Sequence, residues 1–172
     1  MSLIISWVLL MEHKDIDSLK MRDTILGLVS QGFKFPFNEF FEISHNIEVY
    51  RFGHDVNSAG FKNHETTYER EYQNSSKPYP ADILYCCALS CYASKESAEL
   101  RLKSIMKRHK KRQLKIGNGL LHGVLAIGDG YISELDEFTH FDFYQKACCD
   151  MYSKFKFLEI ISPTGDFNDG TN

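Results

Sequence analysis

Hydrophobic and polar positions follow two different periods along this chain, and one stretch, residues 82–112, carries both. From 83 to 92 (ILYCCALSCY) nearly every residue is apolar or small, the pattern of a strand covered on both faces. After a polar step at Ser94, positions Ala98, Leu102, Ile105, Met106 and His109 recur at helical spacing, with lysines and arginines on the opposite side. The stretch predicts a buried strand, a tight turn and a long amphipathic helix with a basic end. Ser94 is the expected N-cap, and Glu96 and Glu99 sit near the positive helix end.

The remaining pattern supplies elements that pair with this unit or cover it. Asp17-Ser18 precede a helical pattern with Leu19, Ile25, Leu28 and Val29 on one face, and Gly32 stands where a C′ glycine would stop it. In 33–43 (FKFPFNEFFEI) Pro36 forbids a helix interior or central strand, and Asn38 is placed to cap a short helix carrying Phe40 and Phe41. Residues 47–52 (IEVYRF) alternate as a strand, which sets Arg51 in line with Ile47 and Val49. A long polar segment, 53–80, reads as a binding loop or lid. Gly117-Asn118-Gly119 end the central helix, and 119–135 read as a strand, a Gly-Asp-Gly turn and a second strand. Residues 139–144 (THFDFY) alternate strictly, with His140, Asp142 and Tyr144 on one face. Residues 145–153 are ambiguous, and 154–161 form a closing strand. Together these predict an α+β fold, a mainly antiparallel curved sheet with helices packed on it. One domain spans 1–161, and 162–172 form a polar, disordered tail.

Composition changes the picture in two places. Net charge is −3, so no global field draws the chain to nucleic acid, yet 101–115 hold eight Lys or Arg and no acid. Five cysteines include the adjacent pairs Cys86-Cys87 and Cys148-Cys149, which suit reduced thiols better than disulfides and lack zinc-site spacing. No metal ligands are therefore expected. The apolar start, 2–11 (SLIISWVLLM), is about half of the roughly 20 residues a membrane span needs. It has no basic n-region or cleavage site. It reads as a buried first element, with Met11 as an alternative start to Met1, and the expected location is the cytoplasm.

Three places offer chemistry. Arg51 and His54 close a strand ahead of the long loop, where a guanidinium suits phosphate or carboxylate; the preferred reading is an edge-strand surface arginine. Ser94 and Glu99 open the central helix, either as plain caps or as an anion site with a carboxylate beside it. His140, Asp142 and Tyr144, with His122 on another strand, can serve general acid/base work or form a solvated sheet face. No Ser-His-Asp order or nucleophile elbow accompanies them.

The strand bearing Tyr50-Arg51, the long intervening loop, and Tyr92-Ala93-Ser94 leading into Ser97-Ala98-Glu99 resemble the ADP-ribosyltransferase-like superfamily, in its RES-type branch of NAD-degrading toxins. That resemblance implies a small curved β-core whose cleft holds NAD. Arg51 would hold the pyrophosphate, Tyr92 and Ser94 would line the cofactor side, and Glu99 would be the polarising carboxylate, with His54 contributing. It spans residues 47–99. The family's tryptophan step after the arginine is missing, and Ala98 and Glu99 are adjacent here.

The expected function is thus an NAD-binding, ADP-ribosyltransferase-like or NAD-degrading enzyme. The alternatives are an RNA-binding or RNA-cleaving toxin-like domain, contacting nucleic acid through Lys107, Arg108, Lys110, Lys111 and Arg112, and a non-enzymatic partner-binding module.

Overall fold

The computed structural model describes residues 13–55, 63–109 and 115–162. The predicted tail beyond Ser162, the apolar segment 2–11, part of the long loop and Lys110, Lys111 and Arg112 lie outside the described residues.

Seven strands form one open antiparallel sheet: β1 (Phe40–Glu42), β2 (Ile47–Gly53), β3 (Leu89–Tyr92), β4 (Gly119–Leu125), β5 (Gly130–Ser133), β6 (His140–Gln145) and β7 (Phe155–Ile160). Their order is β1-β5-β6-β3-β2-β4-β7, which places β2 and β3 towards the middle and β1 and β7 at the edges. Four α-helices accompany them among the described residues: α1 (Arg22–Ser30), α2 (Thr67–Glu71), α3 (Lys95–Arg108) and α4 (Met151–Lys154). The α+β expectation holds. No helix among the described residues is long and apolar enough to cross a membrane.

Each face of the sheet has its own cover. On one face Ile43, Val49, Leu89, Cys91, Leu121, Phe141, Phe143 and Phe155 form a buried cluster. On the other, α3 lays Ala98, Leu102 and Met106 over Tyr50, Phe52, Tyr92 and Leu120. Towards the β1 edge α1 and the turn before it bury Ile16, Leu19, Ile25 and Leu28 against Phe40, Tyr131 and Tyr144. Tyr144 belongs there because its hydroxyl donates to the Leu84 carbonyl at 2.5 Å, satisfying a buried polar group. All five cysteines are free thiols.

Several local expectations are corrected. The strand predicted over 83–92 shrinks to Leu89–Tyr92, because residues 80–88 coil through successive tight turns, including a 3₁₀ turn at Tyr85–Cys87. Apolar character there reflects burial beneath Tyr144, not extension. Phe40 and Phe41 lie in β1 rather than a helix, since pairing with Ile132 and Ser133 of β5 outweighs local capping by Asn38. The strand, turn and strand expected over 119–135 are present as β4 and β5, which do not pair with each other: β4 pairs with β2 and β7, and β5 with β1 and β6. The polar segment 53–80 contains α2, opened by a capping box between Thr66 and Glu69.

Gly117 sits at φ +87°, and a Cβ there would meet the Gly53 carbonyl oxygen at 1.9 Å. Gly117→Ala should therefore destabilise the protein by on the order of 3 kcal/mol, from backbone strain and displacement of β2's end together. The urea unfolding midpoint measures this, and a midpoint equal to wild type would contradict it.

Candidate anion-binding site

Strand β2 pairs with β4 along its whole length, but with β3 only at Tyr50 against Tyr92. Beyond that position the ladder between these strands stops, and Arg51 occupies the gap. Strand alternation puts Arg51 on the buried face beside Val49 and Cys91, and it is only 4% exposed. Nη1 donates to the Ser90 carbonyl at 2.7 Å and approaches Cys91 Sγ at 3.5 Å, while Nη2 donates to the Asn63 carbonyl at 3.4 Å. Nε is buried without a hydrogen-bond partner.

A second guanidinium stands close enough to be felt. Arg70, on α2, donates to the Glu65 carbonyl at 2.6 Å and to Thr67 Oγ1 at 3.4 Å. Burial, and then the neighbouring Arg51 charge, lower it from its ordinary value, while Glu65, Glu71 and Glu69 act the other way. Among the described residues neither guanidinium has a carboxylate within ion-pair distance. Buried charges are normally paired; the buried Arg51 is met by two carbonyls and a thiol, and the half-buried Arg70 by a carbonyl and a hydroxyl.

Both line one pocket of about 40 Å³, together with His54, Asn63, Glu65, Thr67, Ser90 and Lys115. One water needs roughly 10–15 Å³ by this measure, and whole-ligand clefts run to about 300–1,000 Å³. The notch is therefore the size of a single phosphate or carboxylate group. It adjoins a wider groove of about 500 Å³ that shares Thr67, Arg70, Lys115 and Ile116 and adds Tyr72 and His109.

The frame around the notch is held firmly. The Asn63 side chain clamps His54 from both sides, accepting from its backbone N–H at 2.7 Å and donating to its carbonyl at 3.0 Å. Lys115 reaches Glu71 at 2.6 Å and Lys77 reaches it at 3.1 Å, which holds the Glu71 carboxyl below its usual range. His64 is buried between Tyr152 and Phe155. Burial, Arg51 and Lys20 push its imidazole down to about 3, so it is neutral at physiological pH.

Of the residues expected from sequence, Arg51 and His54 meet at this notch. Tyr92 lies on the opposite face, under α3. Ser94 caps α3, accepting from Ser97 N–H and donating to Glu96. Glu99 is held between Lys95 at 3.5 Å and Lys103 at 3.6 Å, in a ladder that continues from Lys95 to Glu159 on β7. None of these three lines the notch. Lys107 and Arg108 are exposed at the end of α3. His122 stacks on Tyr50. His140 meets Ser90 across the sheet. Among the described residues no group of three or more His, Cys, Asp or Glu side chains is arranged to hold a metal ion.

Arg70, Asn63, Glu65 and Ser90 were not singled out from sequence, and Lys115 entered only as the last residue of the basic run 101–115. The Thr66-x-x-Glu69 spacing was a usable sign of α2, which carries Arg70. Compared with protein-family models, curated proteins and solved structures, the chain matches none.

His64 yields a prediction about acid stability. Its folded value lies below the ordinary value near 6.5, so below that pH the unfolded chain binds a proton that the folded protein refuses. Stability should fall as pH drops from about 6.5 towards about 3, by a few kcal/mol. His64→Phe should flatten that part of the curve in denaturant titrations across pH; an unchanged slope would show that His64 does not cause it.

Proposed function

We propose that the protein binds a phosphate-bearing small molecule, with one phosphate seated in the notch between Arg51 and Arg70. One observation carries this reading: two neighbouring guanidiniums, partly desolvated and without carboxylate partners among the described residues, face a pocket of one phosphate's size. A bound anion relieves their mutual repulsion and offers an acceptor to Arg51 Nε, which is buried without one. The adjoining groove, with Tyr72 and His109, is where the rest of such a ligand extends.

NAD is the named candidate, on the sequence resemblance that gave Arg51 the pyrophosphate. The carboxylate that lines the notch is Glu65, while Glu99 belongs to the lysine ladder. Ribosyl chemistry on a ligand anchored here would thus draw on Glu65 before Glu99. The groove also runs beside His109 at the basic end of α3, which keeps a second reading in view, an RNA backbone laid from Arg70 past Lys115 towards Lys107 and Arg108.

Calorimetric titration with pyrophosphate, NAD and a short single-stranded RNA tests these together. Pyrophosphate should bind, and Arg70→Gln should weaken it at least about tenfold, the scale of losing one charge-assisted contact. Arg51→Lys, which keeps the buried charge but not the fork, should also weaken it. Absence of pyrophosphate binding overturns the proposal. Nicotinamide release from NAD that is absent, or equal in wild type and in both Glu65→Gln and Glu99→Gln, removes the NAD-degrading form. RNA binding that is absent, or does not fall with salt, removes the second reading.

A further inference from the structure

The register between β3 and β6 sets Ser90 opposite Asp142 and Tyr92 opposite His140. The His140 ring leans across this pair, and its Nε2 lies 2.7 Å from Ser90 Oγ. On the ring's other side Nδ1 is 3.7 Å from Asp136 Oδ2. Asp136 is itself fixed, because Oδ1 accepts from the backbone N–H groups of Phe138 and His140, each at 2.8 Å. The turn it holds carries Thr139 at φ +57°, a strained position for a β-branched residue, immediately before His140. Asp142 stands 4.0 Å from Nε2, and the Tyr92 ring packs edge-on against the imidazole at 5.2 Å.

Ser90 is exposed, so water could satisfy its hydroxyl; the bond to His140 is not forced by burial. A proton on Nδ1, facing Asp136, leaves Nε2 as the acceptor for Ser90 O–H. That is the arrangement of an activated nucleophile: hydroxyl, base within hydrogen-bond reach, and a third group orienting the base. The Nδ1 contact is longer than a hydrogen bond, as such contacts often are without substrate.

We propose that Ser90 is a nucleophile for acyl transfer, with His140 as its general base and Asp136 as the residue that positions His140. The substrate class is an ester with a good leaving group. Ser90 Oγ attacks the carbonyl carbon as its proton passes to His140 Nε2, and the carbonyl electron pair moves to oxygen. Collapse of this intermediate breaks the carbon–oxygen bond to the leaving alkoxide, which takes the proton from His140. Water then attacks the acyl-serine, giving its proton to Nε2, and release of the carboxylic acid restores Ser90. Ser90 also lines the notch, and its carbonyl already receives the Arg51 guanidinium, so fixed positive charge sits against the same residue.

The test uses p-nitrophenyl acetate and a fluorophosphonate label, neither of which needs the Arg51–Arg70 notch to hold a phosphate. The full chain should be labelled once, at Ser90 by peptide mapping, and should hydrolyse the ester. Ser90→Ala should lose both, and His140→Gln should slow both by about 10²- to 10⁴-fold. Ser90→Cys adds a check that needs no ester: its alkylation by iodoacetamide should slow when His140→Gln is added. Circular dichroism melts matching wild type establish that the variants are folded. Labelling that is absent or elsewhere, Ser90→Ala hydrolysing as fast as wild type, or rates indifferent to His140 would each overturn the proposal. For Asp136, ring ¹⁵N shifts should show the Nδ1–H tautomer of His140 in the native protein and a mixture in Asp136→Asn. An unchanged tautomer would remove Asp136 from the assignment.

Discussion

A charged guanidinium buried near the middle of a β-sheet is the constraint on which the rest of this structure depends. Arg51 can stand among Val49, Cys91 and Leu121 only because the ladder between β2 and β3 stops after Tyr50 and Tyr92. The carbonyl freed on Ser90 is then met by Nη1. Continuing the ladder would pair the backbone but leave the arginine without acceptors in the core, at a cost of several kcal/mol. The splay and the arginine therefore imply each other. The same exchange leaves Nε buried without a partner, an uncommon state for a core donor.

The opposite face explains why the splay does not unzip the sheet. Helix α3 spans the junction, with Ala98, Leu102 and Met106 over Tyr50 and Phe52 of β2, Tyr92 of β3 and Leu120 of β4. Burying this apolar surface holds the two strands at a fixed separation where backbone bonds no longer do, since each fully buried large side chain contributes about 1.5–3 kcal/mol. From below, Asn63 ties the end of β2 to the segment leading into α2. The notch is thus a gap with rigid walls. Its lining comes from four separate parts of the chain: the end of β2 with His54, residues 63–70, Ala88 and Ser90, and residues 115–116.

How much of this was legible in the sequence follows from the range of the interactions. Period-2 and period-3.6 patterns are local, so β2, α3, β6 and β7 could be read directly, as could the odd placement of Arg51 on an aliphatic face. The tight turns over 80–88 could not, because apolar residues buried in turns leave the same trace as apolar residues buried in a strand. Arg70 was hidden for another reason. It lies in a polar segment whose one short helix is announced only by its cap, Thr66 and Glu69. Ser90 and His140 are 50 residues apart and meet through a strand register that no single-sequence pattern encodes. The helix start at Ser94 was legible for a local reason: capping calls for a serine there, and its hydroxyl accepts from Ser97 N–H.

Ser90 is where these separate lines meet, and the reason is geometric. It is an exposed residue of a four-residue strand, flanked by the buried Leu89 and Cys91. Its carbonyl lies in the plane of the splay and its hydroxyl stands on the face shared with His140. A strand this short is held by few backbone bonds, so the Arg51 donation to Ser90 contributes much of what fixes its position on the β2 side. The notch and the Ser90–His140 pair thus share one strand residue: Arg51 holds the Ser90 carbonyl from the β2 side, while His140 on β6 meets its hydroxyl.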